Sequence, residues 1–130
     1  MILEHAAGTL DFTRPVALIL AGILGHVRDD AEARLVVDHL VGTLTSGSYL
    51  VIADGTNTSE GFNEIRRQYE ESGAIPYYLR SPEELERFFD GLQPVEPGVV
   101  PLGQWRPGPS PFEPFAEVDA CTICGVARKA

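Results

Sequence analysis

The sequence predicts an α/β fold, a sheet of about four strands with the last one antiparallel, flanked by helices. Three observations carry that prediction. Short apolar runs alternate with amphipathic helical stretches. Gly, Pro and Ser turns bound the apolar runs. The last two extended stretches are joined by a Pro-rich connection with no helical pattern in it.

The first strand is read in "RPVALILAGILGHV" (14–27), an apolar run after Pro15. Its length and its Pro and Gly flanks predict a strand buried on both faces, as in a parallel sheet. "DDAEARLVVDHLVGTL" (29–44) is helical, with Ala33, Val36, Val37, Leu40, Val41 and Leu44 at i, i+3, i+4 spacing. Asp29 is its cap, and Glu32 completes a box-like pair. A Ser-Gly-Ser turn leads to the second strand, 48–54, which closes on Asp54, Gly55, Thr56 and Asn57.

A helix over 59–73 follows, with a narrow apolar stripe of Phe62, Ile65 and Tyr69 and with Gly73 at its end. "IPYYLR" (75–80) is extended. "SPEELERFFDG" (81–91) carries the clearest helix signal. Ser81 caps it, Pro82 takes the first position, Glu84 closes a capping box and Gly91 ends it. Leu85, Phe88, Phe89 and Leu92 form its apolar face. A short strand over 92–100 has Pro at its margins, which predicts an edge or bulge. Seven of the ten prolines lie from Pro94 to Pro114, so 94–115 reads as an irregular surface loop that Trp105 anchors. A last strand occupies 123–130. The βαβ order at the start implies parallel strands. The helixless connection before the last strand lets it run antiparallel.

At 130 residues the chain reads as a single domain, 1–130, or part of one. The formal charge of −9 and the absence of any Lys/Arg cluster argue against a nucleic-acid partner. The longest mostly apolar stretch, 15–24, is too short to span a membrane. The N-terminus has no basic region or cleavage site, so the expected location is cytoplasmic. Cys121 and Cys124 form the one Cys pair. The three His residues lie far from it in sequence, which argues against zinc. The pair precedes a strand rather than opening a helix, which argues against a redox role. No metal site is expected.

In open α/β sheets ligands bind at the carboxyl ends of strands. That rule singles out two places. Gly22, Gly25 and His26 follow the first strand: the glycines admit close backbone approach, and His26 suits an acid/base or orienting role. Asp54 and Thr56 close the second strand and suit substrate contact. The ordinary alternatives are a strand exit shaped by glycine, a loop histidine over a helix N-terminus, and plain turn chemistry.

The element order, together with "LGHVRDDAEARLVVDHLVGTLTSGSYLVIAD", resembles strand four, helix D and strand five of the class I S-adenosylmethionine-dependent methyltransferases, a Rossmann-like sheet whose last strand is antiparallel. "ILEHAAGTLDFTRPVALIL", "LRSPEELERFFDGLQPVEPGVVPLGQWRP" and "GVARK" narrow the resemblance to a bacterial S-adenosyl methyltransferase family, over about Ile2 to Lys129. It implies S-adenosyl-L-methionine as cofactor, a small-molecule methyl acceptor, cofactor contacts from Gly22, Leu24, Gly25 and His26, catalytic roles for His26 and Asp54, and substrate contacts from Asp54 and Thr56.

The family's Gly-rich loop and ribose-binding acid have no counterpart here. The resemblance therefore implies only the C-terminal half of the fold, a truncated chain starting at Met1 and inactive by itself. Two consequences are expected. The edge of the 15–24 strand is unpaired, with no Lys to deter pairing, so a homo-oligomer forms through it. The rival function is a non-catalytic, methyltransferase-like interaction or dimerisation module. A different nucleotide-binding Rossmann enzyme would need a dinucleotide fingerprint, and none occurs.

Overall fold

The computed structural model describes residues 2–58, 60–73, 77–105 and 122–130. The chain runs α1 (Ile2–Ala7), β1 (Ala17–Ala21), α2 (Asp30–Gly42), β2 (Tyr49–Gly55), α3 (Glu60–Glu71), α4 (Pro82–Glu86), β3 (Gln93–Pro94), β4 (Val100–Pro101) and β5 (Thr122–Arg128). Single 3₁₀ turns lie at Leu24–His26, Arg87–Phe89 and Leu102–Gln104.

The sheet has the order β1-β2-β5-β3, and β4 also pairs with β5. β1 and β2 are parallel, from Ala17 opposite Tyr49 to Ala21 opposite Ala53. β5 inserts antiparallel between β2 and β3, from Tyr49 opposite Arg128 to Gly55 opposite Thr122. The sequence anticipated this arrangement. It counted about four strands where five form among the described residues. The predicted 92–100 strand splits into two short pairings around a Val95–Gly98 turn, because proline cannot donate to a ladder and three fall between 94 and 101.

Register decides which residues form the core. Leu18 and Leu20 align with Leu50 and Ile52, and these with Ala127 and Gly125, so one sheet face gathers them. That face belongs to one cluster with Ala33 and Val37 of α2 and with Leu85, Phe88 and Phe89. The opposite face of β1 is not covered by described residues: Ile19 is 62 % exposed, and Ala17 and Ala21 are exposed beside it. Burial of β1 on both faces was therefore a wrong expectation. An apolar run shows that a strand suits burial, not that an element lies over each face.

Local signals account for the helices. Asp29 caps α2 by accepting from the Glu32 amide at 3.0 Å, without the reciprocal bond of a full box. The Ser81–Glu84 capping box is complete, both bonds 3.1 Å, with Pro82 at the first position. The α-helix there stops at Glu86 and tightens into the Arg87–Phe89 turn. Both termini of α3 conform to the predicted span within a few residues, and Ile65 is half exposed. The side chains of Phe62 and Tyr69, Ile75 and Pro76 of the extended stretch, residues 106–121 of the Pro-rich stretch, and Cys121 lie outside the described residues. Trp105 is half-buried. Cys124 is buried, and burial pushes its thiol pKa up, which suits an unreactive cysteine.

Candidate functional site

The carboxyl ends of β1 and β2 lie side by side, and the Tyr77–Arg80 segment closes over them. β1 ends at Gly22, whose φ of +65° is a backbone state that other residues adopt only under strain. Its amide donates to the Ala53 carbonyl at 2.9 Å and ties the two strand ends together. Gly22 is exposed, with open space where a Cβ would project. The chain then tightens through Leu24–His26. Leu24 and Gly25 are buried and His26 is exposed.

Arg80 holds this turn in place and is the largest fully buried side chain described, at 1 % exposure. Its Nε donates to Asp30 Oδ1 at 2.7 Å, its Nη1 to the Leu24 carbonyl at 2.7 Å, and its Nη2 to the Val27 carbonyl. The rings of Tyr78 and Phe88 lie 5.2 and 5.5 Å from its guanidinium carbon. A buried cation is tolerated when it is hydrogen-bonded, and Arg80 meets that condition through Asp30 and the carbonyls of the turn, of which Leu24 also accepts the Val27 amide at 3.0 Å.

Asp54 closes β2 on the core face and is 3 % exposed. One carboxyl oxygen, Oδ1, accepts from the Gly55 amide at 2.9 Å and from the Tyr77 hydroxyl. The other, Oδ2, is buried and has no hydrogen-bond partner. Burial raises the carboxyl pKa to about 6, against the pull of the Gly55 amide, the Arg80 charge and the nearby Leu24 and Gly25 amides. Tyr77 lies directly on Gly25, where a Cβ would run into its ring. Its ring meets His26 edge-on, centroids 5.0 Å apart at 87°. The Tyr78 amide donates to the Gly25 carbonyl at 2.6 Å and fastens the two segments.

Of the residues singled out by sequence, Gly25, His26 and Asp54 converge on Tyr77, with Gly22 and Leu24 on the same turn. Thr56 is fully buried, bridges to Arg80 in the backbone and shares a 2.8 Å hydrogen bond with Thr58. Sequence reasoning assigned no role to Tyr77 or Arg80. The available signal was an arginine between apolar Leu79 and the cap Ser81, in an extended stretch too apolar to need a solvated charge. Among the described residues no group of His, Cys, Asp and Glu could hold a metal ion, and no helix is long and apolar enough to cross a membrane.

The Asp54 carboxyl makes stability depend on pH. Unfolded, it titrates near 3.8; folded, near 6. The folded state therefore binds this proton more tightly. The penalty for burying the ionised group is absent below the unfolded value and complete above the folded one. Between pH 7 and pH 4 the wild type is expected to gain about 2–3 kcal/mol relative to Asp54→Asn. Urea titrations of both proteins at several pH values check this; a stability difference independent of pH contradicts it.

A mixed α/β sheet whose last strand is antiparallel, with polar groups gathered at its strand ends, defines a class I methyltransferase fold. The chain belongs to the S-adenosyl methyltransferase family, whose sequence model matches residues 1–130. A DUF574 family protein from Streptomyces avermitilis is similar over 99 % of this chain, at 36 % identity and a TM-score of 0.89. A candidate methyltransferase from Thermobifida fusca is similar over 98 %, at 32 % identity and a TM-score of 0.84. This chain spans 50 % and 49 % of the length of those two proteins. The N-methyltransferase NodS from Bradyrhizobium japonicum, seen with S-adenosylhomocysteine, shares the fold alone, at 18 % identity and a TM-score of 0.50 over 87 % of this chain and 45 % of its own. No curated protein matches the chain.

Proposed function

We propose that this chain forms one wall of an S-adenosylmethionine-dependent methyltransferase cleft that acts on a small molecule. Asp54 is the observation that carries this reading. A buried carboxyl group with one unpartnered oxygen, at the end of a strand, is costly for stability and suits a ligand that completes its bonding.

The residues present fit part of the cofactor. The exposed backbone of Gly22, with open space beside it, and the adjoining Leu24, Gly25 and His26 would hold its amino-acid end. When bound, the cofactor supplies a methyl group activated on a sulfonium. Asp54, with a pKa of about 6, is mostly ionised at neutral pH and accepts the proton that the methyl acceptor loses. His26, at the mouth of the site, orients the acceptor. The charge of −9 favours a small molecule over nucleic acid. Free S-adenosylmethionine is an intracellular metabolite, so the reading includes a cytoplasmic location. By itself this chain offers neither a Gly-rich loop nor a ribose-binding acid, so full activity calls for further cofactor contacts. Amide chemical-shift mapping with S-adenosylhomocysteine tests the reading. Shifts at Gly22, Leu24, Gly25 and His26 are expected; shifts elsewhere with none at these four would refute it.

One observation favours the interaction-module reading. Among the described residues β1 pairs only with β2, leaving its other edge free beside exposed Ile19. An apolar groove of about 480 Å³, lined by Ile2, Leu3, Leu35, Val36 and Leu40, marks the outer side of α2. Unprotected apolar edges recruit strands. We expect self-association through β1, weakened by Ile19→Lys. Sedimentation equilibrium checks it: a wild-type monomer at every accessible concentration removes this reading.

A further inference from the structure

We propose that Tyr77 is a resident occupant of a phenol-binding site. The space it fills is shaped for a planar hydroxyaromatic ligand, and Tyr77 closes that space from within the chain.

A half-buried tyrosine ordinarily buries its ring and leaves its hydroxyl in water. Tyr77 does not leave its hydroxyl in water. It is half-buried, yet its hydroxyl points inward and donates to Asp54 Oδ1, in a group that is itself 3 % exposed. The ring rests on Gly25 at a point where any Cβ would collide with it. His26 stands edge-on to the ring. A flat floor without a side chain, an aromatic flank and a buried carboxylate at the far end together specify a flat ring with a hydroxyl at its tip. The site is also incompletely satisfied with Tyr77 in it, since Asp54 Oδ2 has no partner. Tyr78 and Arg80 hold the segment beyond Tyr77 through the Gly25 carbonyl and the Leu24–Arg28 turn, so the ring can leave without taking the strand with it.

The phenol site stands on this geometry alone. Its identity as the methyl-acceptor site rests on the function proposed above. In that case the acceptor is a phenol-type hydroxyl, and Tyr77 keeps the site closed until such a ligand displaces it.

The test is Tyr77→Ala titrated with p-cresol and with toluene, followed by calorimetry and by the His26 ring resonances. p-Cresol is expected to bind and to move those resonances. Toluene, which lacks the hydroxyl that Asp54 receives, is expected to bind about ten- to hundredfold more weakly. The wild type, its site filled, is expected to show neither response at equal concentration. Equal affinity for the two compounds overturns the proposal, because the space is then merely apolar. So does absence of binding to a folded Tyr77→Ala chain. Failure of both Tyr77→Ala and Tyr77→Ser to fold, even with p-cresol present, also overturns it, because a resident occupant is dispensable and a core residue is not. The outcome is separable from the cofactor test. p-Cresol binding without S-adenosylhomocysteine shifts leaves a phenol site that is not a methyl-acceptor site, and the converse leaves a methyltransferase with another acceptor class.

Discussion

Arg80→Met is expected to lower the folding free energy by about 2–4 kcal/mol, chiefly the cost of taking the guanidinium donor away from the buried carbonyls of the turn. Methionine matches the volume but returns none of the bonds. The Val27 carbonyl loses its guanidinium donor, the Leu24 carbonyl is left with the Val27 amide alone, and Asp30 loses its 2.7 Å ion-pair partner. Asp30 is largely solvated and contributes little of the cost; the buried carbonyls contribute most of it. Arg80→Lys is expected to recover only part, since an ammonium on one stem cannot reach partners spread around a planar fork. The loss should also loosen Leu24–Arg28, the turn that carries Gly25 and His26. Urea midpoints and amide exchange over that turn check both effects. An unchanged midpoint would show that the arginine is ornamental to the fold.

Phe88→Ala is expected to destabilise the chain by about 3–5 kcal/mol. Phe88 is 5 % exposed, lies in the central cluster and sits beneath the Arg80 guanidinium at 5.5 Å. Because the two side chains touch, their losses should not add. The double variant is expected to fall short of the summed single effects, as for any contacting pair. A Phe88→Ala midpoint equal to that of the wild type would remove this helix face from the core.

The sheet was legible where one physical signal decides a position. Periodicity marked α2 through Ala33 and Val37, both buried. Ser81, Pro82 and Glu84 marked the start of α4, because a capping box is a local bond pattern. The reversal of β5 followed from a connection whose sequence carries no helical pattern. The exposed face of β1 was not legible, since Ile19 reads the same whether or not an element covers it. Nor was α1, six residues without a buried side chain. In the candidate site, the strand-end rule led to Asp54, at the end of β2, and to the Gly22–His26 turn, just after β1. Tyr77 and Arg80 escaped it because their partners are remote: 23 residues separate Tyr77 from Asp54, and 56 separate Arg80 from Leu24. No local pattern encodes contacts at that range.

In the function proposed above, the turn from Gly22 to His26 forms one wall of a cofactor cleft and not the whole of it. On that proposal binding does without two further anchoring groups, which at ~1.5–3 kcal/mol each for charged hydrogen bonds costs about 3–6 kcal/mol. From a dissociation constant on the order of 10 μM for a complete site, that leaves millimolar binding or weaker. Calorimetric titration of the 130-residue chain with S-adenosylmethionine and S-adenosylhomocysteine measures this directly. Binding no tighter than millimolar and no methyl transfer by the chain alone are expected. A micromolar dissociation constant, abolished by mutating Gly25 or His26, would contradict this expectation and make this chain a self-sufficient cofactor binder.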